Sequence, residues 1–147
     1  MSVLGQVTIN GVTYQERYQC FPLDVQMTPN LVLTSQRVSL PGIAPFRLKA
    51  LTRTTFNAEG VATAYAFKFK FGNTEGGVWY CGAPVGEIND RVVDTLIFGD
   101  GKLPFPVIPS IIFDTNAAIM YEVEDISDST YTISFGFHGT FLFPVGK

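Results

Sequence analysis

Few residues in this chain could do chemistry. The 147 residues include one histidine, His138, and two cysteines, Cys20 and Cys81. A histidine can switch charge near neutral pH or ligate a metal. His138, however, stands alone on the even-numbered face of a strand-like stretch, where a half-exposed strand residue is the plainer reading. Each cysteine lies among aromatics, Tyr18 and Phe21 in one case and Trp79 and Tyr80 in the other. That reads as two free, buried thiols rather than a disulfide framework. One histidine and two distant cysteines give no zinc pattern. The chain also lacks a Gly-rich phosphate loop opening a helix and a Gly-x-Ser-x-Gly elbow.

The carboxylates are more clustered. Glu122, Glu124, Asp125 and Asp128 lie together, and Glu122 and Glu124 share one strand face. A calcium site is one reading; a solvated face running into a loop is the plainer one. Asp90, Asp94 and Asp100 suit turns before they suit an acid–base pair. Trp79 and Tyr80 form a candidate weak sugar-stacking pair, set against an ordinary place in the core or its rim. The sequence thus predicts no catalytic residue, no cofactor and no metal site, and a protein that is not an enzyme.

Composition points outward. The chain is 46% hydrophobic, 14% aromatic and only 16% charged, with net charge −3. So little charge implies that part of the surface meets other protein. The charge is also unevenly placed. Arg37, Arg47, Lys49, Arg53, Lys68 and Lys70 share a segment with one acid, Glu59, whereas Glu75–Asp128 is strongly acidic. The positive balance is too small for a nucleic-acid binder. Arg47, Lys49, Lys68 and Lys70 make a candidate docking face for an acidic neighbour or a second copy; solvated strand faces are the alternative. No apolar run reaches about 18 residues, so no membrane span is expected. Met1–Gly5 lacks the pattern of a signal peptide, which predicts synthesis in the cytoplasm.

These residues must be positioned by strands. In Tyr131–Phe143, Tyr131, Ile133, Phe135, Phe137, Phe141 and Phe143 alternate with Thr132, Ser134, His138 and Thr140. A period of two marks a strand with one buried face, and Gly136 or Gly139 should mark a bend or bulge in so long a run. Tyr65, Phe67, Phe69 and Phe71 form a second aromatic row, opposed to Ala66, Lys68 and Lys70, and the two rows are expected to meet between sheets. Phe46, Leu48 and Ala50 are expected to face in, and Arg47, Lys49 and Arg53 out. Val7–Ile9 and Val12–Tyr14 flank Asn10-Gly11, a two-residue hairpin signal. Pro104, Pro106 and Pro109 place their segment at a sheet edge or crossover. Arg91–Phe98 suits a strand or the one short helix. Ser110–Thr115, Ala118–Asp125 and Tyr131–Phe143 read as an antiparallel set. The prediction is an all-β, two-sheet antiparallel sandwich over residues 17–147, preceded by a hairpin or arm over residues 1–16. A jelly roll is the first expectation and an immunoglobulin-like sandwich the second, since Trp79 sits wrongly for the latter's Cys–Trp–Cys pattern.

A succession of features carries a family resemblance: Leu31-Val32-Leu33-Thr34 after Thr28-Pro29-Asn30, Arg37-Val38-Ser39-Leu40, and Pro45-Phe46-Arg47-Leu48-Lys49-Ala50. Leu103-Pro104-Phe105-Pro106, Pro109–Phe113 and Phe135-Gly136-Phe137-His138-Gly139-Thr140 follow. From about Cys20 to Phe143 this resembles the jelly-roll cement, or decoration, proteins of tailed bacteriophages. The resemblance implies a virion structural protein on the capsid exterior. Such a protein binds the major capsid protein, bridges joints between its subunits and acts as a dimer or trimer. A carbohydrate- or receptor-binding sandwich and a tail or neck protein are the alternatives.

Overall fold

The computed structural model describes residues 2–74, 78–81, 83–85, 88–98 and 105–145. In chain order the strands are β1 (Ser2–Ile9), β2 (Val12–Met27), β3 (Val32–Ser39), β4 (Phe46–Phe56), β5 (Phe67–Asn73), β6 (Val78–Cys81), β7 (Ala83–Val85), β8 (Ile88–Asp90) and β9 (Val92–Val93). Helix α1 (Asp94–Phe98) follows, then β10 (Phe105–Phe113), β11 (Ala118–Asp125) and β12 (Tyr131–Pro144). The segment Arg91–Phe98 therefore supplies both a short strand and a helix.

Two antiparallel sheets form the sandwich. The first, sheet A, has the order β1-β2-β12-β4-β10; the second, sheet B, has the order β3-β11-β5-β6, with β9 also on β5, while β7 and β8 pair only with each other. From β2 onward the chain passes back and forth, except that β6 follows β5 in the same sheet: β2, β4, β10 and β12 lie in sheet A, β3, β5, β6 and β11 in sheet B. That strand order is a jelly roll. It corrects the expectation that the last three strands pair together. β10 pairs with β4, β11 with β3 and β5, and β12 with β2 and β4. The turn closed by Ala117 N donating to Asp114 O at 2.9 Å carries the chain across the sandwich rather than back along one sheet.

The Asn10-Gly11 turn has φ of 50° and 79°, the left-handed pair a type I′ hairpin needs. Its second strand does not stop at Glu16. β2 runs on to Met27 and pairs with β12 from Tyr14↔Pro144 to Met27↔Tyr131.

The core is the meeting of the aromatic rows. Phe67 meets Phe135 edge-on at 5.7 Å, Phe69 stacks on Phe135 at 4.8 Å, and Tyr65 stacks on Tyr131 at 4.5 Å. Phe67, Phe69, Ile133 and Phe137 are all but fully buried. Each such ring is worth roughly 1.5–3 kcal/mol against exposure. The bulge lies where β12 needs a glycine: β4 pairs His138 with Ala50 but Gly139 with Leu48, so Lys49 is an extra residue. That one-residue slip reverses the faces beyond it. Leu51, rather than Ala50, becomes the inward residue, at 1% exposure. Arg53, expected outside, points into the sandwich and bonds Asp94 at 2.9 Å.

Candidate functional site

The structure divides the four basic residues of the candidate docking face. Arg47 and Lys49 lie on β4 in sheet A, Lys68 and Lys70 on β5 in sheet B. Each pair alternates with inward core residues (Phe46 and Leu48; Phe67, Phe69 and Phe71) and so lies on the outer side of its own sheet. The four share no face.

Both pairs face acids from other strands of their own sheet. In sheet A, Glu16 of β2 is 7% exposed. It accepts from Arg47 at 3.2 Å, from Lys49, and from the Thr140 hydroxyl of β12 at 2.7 Å. Arg47 also donates to Ser110 Oγ of β10 at 2.7 Å. Burial alone would raise the pKa of Glu16. The hydrogen bonds from Lys49 and Thr140 and the charges of Lys49 and Arg47 outweigh it and hold the carboxyl below its ordinary value. One carboxylate thus ties three strands.

In sheet B the register sets Glu122 opposite Lys70 and Glu124 opposite Lys68. Arg91 bonds Glu122 at 2.7 Å and Glu124 at 2.8 Å, and Lys70 lies 3.6 Å from Glu122. The Lys70 ammonium sits 4.1 Å over the Trp79 ring, a cation–π contact. The matched i, i+2 spacing of Lys68/Lys70 and Glu122/Glu124 was the sequence signal for this ladder.

These contacts decide two other expectations. Of the four carboxylates clustered in the sequence, Glu122 and Glu124 face Arg91. Asp125 instead accepts from Tyr131 Oη at 2.8 Å and from the amides of Ser127, Asp128 and Asn30 at 2.8, 3.0 and 3.0 Å. Burial would raise Asp125, but those donors hold it below its ordinary value. No group of three or more potential metal ligands occurs among the described residues. The Trp79–Tyr80 pair is also split. Trp79 lies under Lys70, while Tyr80 meets Phe71 and Phe113 and accepts from Asn73 at 3.3 Å. The two rings form no common platform. The side chains of Cys81 and Asp90, and the whole of Asp100, lie outside the described residues.

His138 is the centre of a cluster the sequence did not reveal. Its Nδ1 is 2.8 Å from Tyr18 Oη, its Nε2 2.8 Å from Thr52 Oγ1 and 3.8 Å from Cys20 Sγ. These partners come from β2 and β4, more than 80 positions away in the case of Thr52. Burial lowers the pKa of His138 and raises that of the Cys20 thiol. A neutral imidazole beside a protonated thiol is the reverse of an activated nucleophile pair. What the arrangement does is join three strands of sheet A.

Among the clefts lined by described residues, two are of similar size. One, about 570 Å³, is polar and lined by Arg37, Thr74 and the Asp114–Ala117 turn. The other, about 580 Å³, is apolar and lies between β10 and Tyr80 of β6, floored by Leu51, Phe71 and Ile97. Among the described residues no helix is long and apolar enough to cross a membrane. No family model, curated protein or solved structure matches the chain.

Proposed function

We propose that this chain is a non-enzymatic structural protein of a virion, bound to the outside of the capsid across joints between major capsid subunits. The observation that carries the reading is where the polar side chains go. Glu16, His138, Glu122 and Asp125 each bond residues from other strands or turns of the sandwich. A sandwich laced across both outer faces and filled with interlocked rings is stiff, and stiffness suits a clamp that resists outward pressure on a shell. The resemblance drawn from the sequence points the same way. Several copies of a modest contact on one shell would supply avidity.

The partner surface is taken as acidic, met by Arg47 and Lys49 on one side of the sandwich or by Lys68 on the other. Lys70, 8% exposed, is held against Glu122 and Trp79 and is a poorer probe. The test is co-sedimentation with purified capsid shells, using Arg47→Glu/Lys49→Glu and Lys68→Glu as separate variants. Loss of binding in one variant, with its circular-dichroism spectrum unchanged from wild type, is the expected result. Undiminished binding by both would sink the basic-face part of the proposal. Failure of wild type to bind would sink the whole of it.

A further inference from the structure

The remaining unexplained surface is β10. Its register on β4 jumps from Pro106↔Ala50 to Ile111↔Leu48. Val107–Ser110 therefore stand opposite Lys49 alone, and the surplus chain bows outward. At the crest is Ile108, 85% exposed, the most exposed of the large apolar residues described; Phe105 and Ile112 are 39% and 38% exposed. Ile108 also stands on the rim of the apolar pocket of about 580 Å³. A projecting apolar side chain and a hole able to receive it thus share one patch.

We propose that β10 is a self-association surface, on which Ile108 of each copy enters the apolar pocket of a second, two-fold-related copy. Three features select a second copy as the occupant. Knob and hole lie side by side, so a two-fold axis between copies satisfies both at once, which is the self-complementarity of an isologous contact. The strand Phe105–Phe113 has no charged residue, so like charges do not oppose the approach of an identical strand. Pro106 and Pro109 have no amide hydrogen to offer, which disfavours an added strand of another chain and leaves side-chain docking. The strand is about 30 Å long, and a strip one side chain wide covers on the order of 300–400 Å² per partner. That is below the ~800 Å² of a standard interface, so the dimer is weak in free solution. The inference holds whether or not the chain binds a capsid.

Sedimentation of the full chain at concentrations up to about 1 mM, which registers a Kd of that order, tests it. Wild type should shift from monomer toward dimer mass. Ile108→Asp should stay monomeric with an unchanged circular-dichroism spectrum, and Ile108→Leu should still associate. If the Asp variant unfolds, Ile108→Ser takes its place. Wild type that remains monomeric throughout overturns the proposal, as does an Asp or Ser variant that associates like wild type. Monomeric wild type that binds 1-anilinonaphthalene-8-sulfonate in the pocket also overturns it, in favour of a small-ligand site. Capsid co-sedimentation is read separately, so either proposal can fail alone.

Discussion

Gly139→Ala is the sharpest test of how β12 is seated. A Cβ at this position would fall well inside 3 Å of the Arg47 carbonyl oxygen, 2.8 Å from Phe46 Cζ and 2.9 Å from the Arg47 carbonyl carbon. Two of those atoms are backbone of β4 and the third is the tip of a fully buried ring, so none can turn aside. The sheet must open at the bulge where β4 carries its extra residue. Overpacking of this kind costs about 3 kcal/mol at its upper end. Replacing glycine in a strand returns roughly 0.5–1 kcal/mol. The net loss is about 2 kcal/mol, a fall in Tm of roughly 4–8 °C for a chain of this size. Gly136→Ala is the control. Its Cβ would meet Thr52 Oγ1 and, at 2.7 Å, His138 Nε2, both side-chain ends that can rotate at the expense of their mutual hydrogen bond. It should cost about 1 kcal/mol or less, and Thr52→Ala should relieve part of the strain in the double variant. Thermal and urea unfolding of both variants measure this. A Gly139→Ala protein as stable as wild type would refute the close approach of β12 to β4.

Further expectations follow from buried polar groups. Asp94→Ala leaves Arg53, which faces the sandwich interior, without the carboxylate that it bonds; a loss of roughly 3 kcal/mol should appear in urea unfolding. Tyr131→Phe removes the donor to Asp125 and Ala66 O and should cost about 1–2 kcal/mol by the same measurement. Glu16 and Asp125 sit below their ordinary values of 4.5 and 3.8. Their contribution is therefore complete above those values and disappears as pH falls through the lower folded ones. The urea midpoint should drop as pH falls from about 5 to 3, and less steeply in Glu16→Gln.

The sandwich was legible where one periodicity held. The alternation in Tyr65–Phe71 and Tyr131–Phe143 placed both aromatic rows on the core face, Asn10-Gly11 gave the hairpin, and Pro106 and Pro109 gave the edge strand. The inward turn of Arg53 was not legible: Gly139 marks the bulge on β12, but the extra residue, Lys49, lies on the partner strand β4 and inverts the alternation there. Nor was the separate pairing of β10, β11 and β12, since crossing between sheets depends on partners far along the chain. The site residues divide in the same way. The Lys68/Lys70 and Glu122/Glu124 spacings already matched, whereas the bonds of Tyr18 and Thr52 to His138 exist only once β2 and β4 flank β12. Arg47/Lys49 and Lys68/Lys70 looked like one cluster along the sequence, and the jelly roll places them on opposite sheets.

The proposed function is tested most directly by electron microscopy of capsid shells incubated with the purified protein. The account predicts added density on the outer surface, centred on joints between major capsid subunits and fitting this sandwich. Shells without added density, or density confined to a tail or neck, would contradict it.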